Sequence, residues 1–294
     1  MSEKLGAFMR LAMGAALPPS NRFEFMGGSR FGKTNEILPN QGLRGKLDEH
    51  VSRTKLGPRH VSGTINMQPS PEELAWLLPR ILGGTASGTS YPLAENLPSF
   101  YTVADFDGDV KALTGCVFTE ARFTANAPGQ GDPALNLALS VEGVDYQDTT
   151  FPSLNLTQQE YFILPELGLT VDGDDVSVVS FELIVRYLMA IRWNNSYTRT
   201  LLRPIKRDIL CNLKLPFDSD YLTGIYDHGD AEVPIVATFT NGGLSLVFNM
   251  PAVKWPTEPP DMNGRDEINF MLSGTARSSG ASTPALSTTL DSTP

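Results

Sequence analysis

The stretch that decides the fold is HVSGTINMQPSPEELAWLLPRILGG, residues 60–84. Its first part is rich in β-branched residues and ends at a proline, as strands often do. Ser70 can then cap a helix, Pro71 suits the first helical position, and Glu73 completes a capping box. The residues that follow place an apolar stripe on one helix face: Leu74, Leu77, Leu78 and Ile81. The stretch therefore predicts a strand followed by a short helix.

The same order returns in RDILCNLKLPFDSDYLTGIYDHG, residues 207–229. When the two stretches are aligned so that Asp218 matches Ser70, Leu222 matches Leu74 without a gap. The second apolar stripe consists of Leu222, Ile225 and Tyr226. A strand and helix unit is therefore predicted twice.

The repeat extends on both sides of the helix. Each helix precedes a hairpin with a glycine in its turn, Asp107-Gly108 in one copy and Asn241-Gly242 in the other. Three further stretches match in pairs: 23–25 with 181–183, 121–123 with 253–255, and 133–143 with 267–274. The chain is therefore predicted to be a tandem duplication.

The charge of the chain is unevenly distributed. The net charge is −10, but residues 22–60 carry eight basic and four acidic side chains, so the remainder is −10 − 4 = −14. A basic loop on an acidic body favours a self-complementary surface over a general nucleic-acid binder, with a merely solvated loop as the alternative.

No targeting, membrane or disulfide signal is strong. No apolar run approaches the length of a spanning helix. Residues 1–20 resemble a signal peptide only faintly, and an ordered arm is the preferred interpretation. Cys116 and Cys211 lie on different predicted strands of different copies, which favours free thiols in a reducing compartment. Three histidines and no paired cysteines leave no predicted zinc site.

One string satisfies the pattern of a nucleotide-binding loop. GGSRFGKT, residues 27–34, would use Lys33 for phosphate and Thr34 for magnesium. That chemistry needs a buried parallel strand before the loop and a helix after it, whereas RFEFM alternates and Pro39 and Gly42 interrupt any helix. A glycine-rich basic loop is the preferred interpretation.

Other chemical patterns are incomplete. Asp105, Asp107 and Asp109 have the spacing of a calcium loop but lack its glycine and its final glutamate, and Asp172, Asp174 and Asp175 are interpreted in the same way, as turns. No nucleophile elbow and no paired carboxylates stand out. We therefore predict no catalytic, cofactor-binding or metal-binding residues.

Residues 1–26, 61–84 and 180–185 together resemble the tail tube proteins of bacteriophages with long flexible tails. The resemblance implies a mainly β fold of two tandem β-sandwich or barrel domains, each with one short flanking helix. The corresponding boundaries are an arm at 1–21, a first domain at 22–145 with a long basic loop at 27–59, a linker at 146–170, a second domain at 171–276, and a Ser/Thr-rich tail at 277–294.

The resemblance also implies a structural, non-enzymatic virion protein whose rings stack into the conduit for DNA ejection. A duplicated chain implies three subunits in each pseudo-hexameric ring. The implied partners are further copies of the chain, a tape measure protein in the lumen, tail terminator and distal tail proteins, and DNA in transit. The implied location is the phage tail, after assembly in the host cytoplasm.

The same resemblance implies two sets of functional surface residues, one for contact between rings and one for the lumen. The long loop would contact the neighbouring ring through Arg30, Lys33, Arg44, Lys46, Arg53, Lys55 and Arg59. An acidic lumen, along which DNA slides without sticking, would be lined by Glu120, Glu142 and Glu267. Two other functions stay open at this point, a P-loop nucleotide-binding enzyme and a secreted two-domain β-sandwich adhesin.

Overall fold

The computed structural model describes residues 9–38, 55–156, 159–193, 195–199, 201–216, 232–255, 269–280 and 283–293. The mainly β prediction is confirmed, because the described residues form antiparallel strands with one α-helix. The strands are β1 Arg10–Gly14, β2 Asn21–Phe23, β3 Arg30–Leu38, β4 Lys55–Met67, β5 Ser90–Tyr91, β6 Phe100–Asp105, β7 Val110–Asn126, β8 Asn136–Gly143, β9 Asp145–Asp148, β10 Leu167–Val171, β11 Asp174–Val176, β12 Ser180–Arg192, β13 Leu201–Pro216, β14 Val233–Asn241, β15 Leu244–Lys254, β16 Asn269–Ala276 and β17 Ser287–Asp291; the helix is α1, Pro71–Leu82.

The strand and helix predicted over residues 60–84 are confirmed. The backbone N–H of Glu73 donates to the Ser70 hydroxyl at 3.3 Å, and the Glu73 carboxylate accepts the Ser70 backbone N–H at 2.9 Å. Gly83 ends the helix with a φ of 87°, in the left-handed region that favours glycine. Burial raises the pKa of the Glu73 carboxyl, while its hydrogen bonds from Ser70 act in the opposite direction.

The capping hydroxyl gives a testable prediction. Ser70→Ala removes the acceptor for the Glu73 N–H in a buried position, so we expect the free energy of unfolding to fall by about 1 kcal/mol. Denaturant unfolding monitored by circular dichroism measures the change. Ser62→Ala, at an exposed position of β4, is the matched control and should change stability by less than about 0.5 kcal/mol. Equal losses in the two variants would contradict the capping role.

The strand pairings of the first half have counterparts in the second half. One sheet has the order β2-β1-β6-β7-β9, and a second sheet has the matching order β11-β10-β14-β15-β17. The order β3-β4-β8-β7 is likewise matched by β12-β13-β16-β15. Two pairings between named strands have no counterpart, β7 with β12 and β5 with β17, and both join one half to the other.

The pairing of β7 with β12 creates one central sheet. Residues 120–126 of β7 run antiparallel to residues 180–186 of β12. The resulting order is β3-β4-β8-β7-β12-β13-β16-β15, with four strands from each half. We call this eight-stranded arrangement the central sheet.

The core spans both halves. The Phe181 ring lies 5.8 Å from that of Phe239 and 6.3 Å from that of Phe248, and the Phe123 ring lies 5.1 Å from that of Phe248. These four side chains are at most 1% exposed. Phe123 and Phe181 come from the central sheet on either side of the β7–β12 junction, whereas Phe239 comes from β14 and Phe248 from the part of β15 that pairs with β14 and β17. The halves therefore share one apolar interior.

Three segments that were predicted to lie outside the domains contain strands. The arm contributes β1, whose Leu11 and Met13 are fully buried against β6. The linker contains β10, which pairs with β14. The Ser/Thr-rich tail at 277–294 contains β17, which pairs with β15 and buries Leu290. A short alternation of apolar and polar residues is a weak strand signal when the surrounding sequence is polar.

The first half also differs from the prediction in its loop. Residues 30–38 and 55–59, predicted as part of a long loop, form the hairpin of β3 and β4, because β3 finds its hydrogen-bond partners on β4. β3 pairs with β4 as β12 pairs with β13, so β12 corresponds to β3 and not to residues 23–25, as the sequence match suggested. The predicted second helix, with Leu222, Ile225 and Tyr226, lies outside the described residues.

Candidate functional site: the polar face of the central sheet

The two faces of the central sheet differ in chemistry. One face packs on the core through residues that alternate along each strand, as Leu137, Leu139 and Val141 do along β8. The intervening residues point to the opposite face and are mostly polar: Ser62, Thr64, Glu120, Arg122, Ser140, Glu142, Glu182, Arg186, Asn212 and Lys214. We call this surface the polar face. It extends across both halves, with Ile184 and Leu210 among its apolar members.

An ionic network crosses the β7–β12 junction on the polar face. Arg186 Nε donates to Glu120 Oε2 at 2.7 Å, and Arg122 Nη1 lies 3.1 Å from Glu182 Oε1. Arg122 Nη2 also lies 3.5 Å from Glu120, and Asn212 donates to Glu182. These side chains are partly exposed, so each ion pair contributes little stability alone. Their alternating signs instead favour one register between the strands.

A second cluster attaches the β12–β13 connection to the first half. The Arg199 side chain is 3% exposed and pairs with Glu142 on β8, and its Nη2 lies 3.1 Å from His60 Nδ1 on β4. The guanidinium carbon also lies 5.7 Å from the centre of the Trp193 ring. The backbone N–H of Arg59 donates to the Tyr197 carbonyl at 2.8 Å. The cluster thus holds the connection close to the polar face.

The residues suggested for the lumen are placed as follows. Glu120 and Glu142 both lie on the polar face, and each contacts an arginine. Glu267 lies outside the described residues. Within the described part of the chain, the carboxylates Glu182 and Asp208 on this face also contact cations, Arg122 and Lys206 respectively. The face is therefore charge-compensated there, whereas the resemblance implied an acidic surface.

The residues suggested for contact between rings are separated. Arg30 lies at the start of β3 opposite Thr64, on the polar face. Lys33 belongs to the opposite face, where its ammonium lies 5.4 Å from the centre of the Tyr146 ring. Lys55 is exposed at the start of β4, and Arg59 lies 3.8 Å from Asp145. Arg44, Lys46 and Arg53 lie outside the described residues.

The geometry does not support the chemistry of a phosphate-binding loop at residues 27–34. Arg30 to Thr34 belong to β3, an antiparallel strand at the edge of the central sheet, and within 9–38 no helix follows them. A Walker-type loop needs backbone amides that converge on a phosphate before a helix N-terminus. The amides of an extended strand instead alternate in direction.

The aspartates of the incomplete calcium patterns lie at turns. Asp105 accepts the Gly108 N–H at 2.7 Å and the Arg10 Nε–H at 2.9 Å, and Asp107 and Asp172 have positive φ in their turns. No group of three or more metal-ligating side chains occurs in the described residues. The two cysteines are free, and burial raises the pKa of each thiol to about 12.

The sequence did not point to the ionic network at the junction. Glu120 and Arg186 lie 66 positions apart, and each sits in an ordinary alternating strand. Only the pairing of β7 with β12 brings them together. An indirect signal was available, because a polar residue alternates with the apolar ones along β7, β8, β12 and β13.

A comparison with known protein families gives a match. A family model described as phage tail tube protein matches residues 14–276. The match spans most of the chain, including both halves of the central sheet. No curated protein matches the chain. In the described residues, no helix is long and apolar enough to cross a membrane.

Proposed function

Because the chain belongs to the phage tail tube protein family, we propose that three copies close into a pseudo-hexameric ring and that such rings stack into the tube of a long flexible tail. In this proposal the chain is a tandem duplication, and each half occupies one of six positions. The matching strand orders of the two halves support the duplication. The resulting tube is the conduit for DNA ejection and has no catalytic function.

The observation that carries the proposal is the β7–β12 junction. There the first half pairs with the second through strand edges. On one side, the edge that would repeat this junction is β3, which pairs with β4 alone among the described strands; its partner in the next chain would be the region of β15, the counterpart of β7. Two different surfaces at opposite ends of one sheet allow head-to-tail association, which closes into a ring when the rotation permits. Ring closure would also remove the exposed edge of β3.

The polar face is proposed to line the bore. It is the mostly polar surface of the sheet that would run around the ring. Arg122, Arg186 and Arg199 on this side of the sheet already contact Glu182, Glu120 and Glu142, so fewer free cations face the phosphates of passing DNA. We infer that this charge compensation keeps DNA from sticking. A tape measure protein before ejection, and terminator and distal tail proteins at the tube ends, remain the proposed partners.

Electron microscopy of the purified protein tests this function. We expect annular particles with a central hole, or tubes built from them, and a mass by light scattering of three chains per ring. A protein that stays monomeric at high concentration and forms no annular particles would contradict the proposal. Rings of six chains would contradict the role of the duplication while leaving the tube function intact.

A further inference from the structure

The described part of the β12–β13 connection lies against the first half of the chain. Arg199 is 3% exposed; its guanidinium pairs with Glu142 on β8, and its Nη2 lies 3.1 Å from His60 Nδ1 on β4. The His60 ring also meets the Trp193 ring edge to face, with the ring centres 5.2 Å apart. We call Trp193 and residues 195–199 the latch, because a few polar contacts hold this segment against β4 and β8.

The contact between Arg199 and His60 determines the protonation state of the imidazole. A guanidinium carries only donors, so Arg199 Nη2 donates and His60 Nδ1 accepts. An imidazole can accept at Nδ1 only in its neutral form, because both ring nitrogens carry a proton once the ring is charged. Protonation would remove this acceptor and place a second cation 3.1 Å from a guanidinium that is already buried. The closed latch therefore requires a neutral His60.

Two ion pairs lie beside His60. Arg199 pairs with Glu142, and Arg59, the residue before His60 on β4, lies 3.8 Å from Asp145 on β9. The residue opposite His60 on β3 is uncharged. Because the two pairs are neutral together, a proton on His60 would give the cluster one uncompensated positive charge. A positive charge removed from water without a counterion is costly. Protonation thus opposes the closed latch through charge as well as through the lost hydrogen bond.

The closed latch is also incompletely hydrogen-bonded. Six buried side-chain nitrogen and oxygen atoms lack a hydrogen-bond partner among the described residues, and three of them belong to this cluster: Trp193 Nε1, Arg199 Nε and Asp145 Oδ1. A buried polar atom without a partner costs free energy, because it has lost its hydration and gained nothing in exchange. Half of these atoms lie at one contact, so the closed position is only modestly favoured. Loss of a single hydrogen bond can then open it.

We propose that the latch is a pH-sensitive switch, closed while His60 is neutral and released from the first half when His60 takes up a proton. Histidine is the side chain that ordinarily changes charge between pH 5 and 8, so the switch operates in mild acid. The closed form is favoured at neutral pH and is lost as the pH falls. Because one proton is taken up, the ratio of open to closed latch changes by at most about tenfold for each pH unit.

Opening of the latch also separates Arg199 from Glu142 on the polar face. The switch would therefore alter the charge compensation of the surface that is proposed to line the bore. That consequence depends on the proposed tube. The switch itself involves contacts within one chain, so it operates whether or not rings form.

Acrylamide quenching of tryptophan fluorescence between pH 5 and 8 tests the switch on the full chain. We expect quenching to increase as the pH falls, because release of the latch removes Trp193 from its contact with His60. Trp193→Phe should abolish the pH-dependent part, which assigns the signal to this residue. Far-UV circular dichroism and light scattering at each pH should stay constant, since the sheet and the association state do not change.

Substitutions of His60 separate its proton from its packing. His60→Asn supplies an amide oxygen that can accept from Arg199 but takes up no proton, so the pH-dependent increase should be lost. His60→Lys keeps a cation at this position, and its quenching at pH 8 should equal that of the parent at pH 5. His228→Asn is the matched control, because it removes a histidine elsewhere in the sequence, and its profile should match that of the parent.

A parental profile that is flat between pH 5 and 8 would overturn the switch, and this result needs no variant to fold. A transition that persists in His60→Asn would overturn it as well, because another group would then titrate. The same holds for a transition that coincides with loss of the circular dichroism signal. Each of these outcomes leaves ring formation untouched, whereas absence of rings would contradict the proposed function and not the switch.

Discussion

A single proline at the outer edge of β3 should leave the subunit folded and weaken ring closure at least about tenfold. Backbone N–H groups alternate in direction along a strand, so one of Lys33 and Thr34 directs its N–H at β4 and the other directs it at the open edge. Proline removes the N–H and obstructs the approach of another strand. Lys33→Pro and Thr34→Pro therefore form a matched pair. One variant loses the N–H that points to the open edge, and the other loses the N–H that is directed at β4.

The two variants should separate stability from assembly. The variant that loses the outward N–H is expected to keep nearly the parental unfolding midpoint, yet to associate at least about tenfold more weakly, which is about 1.4 kcal/mol. The other variant is expected to lose stability through a broken ladder bond. Denaturant unfolding and light scattering across a concentration series measure the two properties. Parental ring formation in both variants would exclude β3 from the interface.

The helix and the tight hairpins could be predicted from sequence because their signals are local. Ser70, Pro71 and Glu73 specify the start of α1 within four residues, and the Asp107-Gly108 turn specifies the hairpin of β6 and β7. Each signal acts between neighbours in the chain. The structure confirms these elements at the predicted places.

The missed elements depend on distant partners. β3 is an edge strand with one described neighbour, so its residues are mostly polar and largely exposed. Its sequence therefore resembled that of a loop. β17 lies in Ser/Thr-rich sequence and is stabilised by its pairing with β15, more than 35 positions earlier in the chain. The polar face was suggested in part by Glu120 and Glu142, but the cations that compensate them come from strands of the other half. Register between distant strands has no local signature.

Truncation of Phe181 should produce a large loss of stability. Phe181 is fully buried on β12, and its ring contacts Phe239 and Phe248 from the facing strands β14 and β15. Phe181→Ala leaves a cavity beside the β7–β12 junction, which should lower the free energy of unfolding by about 3–5 kcal/mol. Phe151→Ala is the matched control, because Phe151 is partly exposed beneath Arg10 and should cost about 1 kcal/mol or less.

The same variant tests whether the halves unfold together. Because Phe123, Phe181, Phe239 and Phe248 join strands of both halves in one core, loss of Phe181 should weaken both halves equally. We therefore expect one cooperative transition by calorimetry in the parent and in Phe181→Ala, shifted as a whole to lower temperature. Two separate transitions, of which only one shifts, would show that the halves are energetically independent. Their shared core would then contribute little to the junction that the ring proposal repeats between subunits.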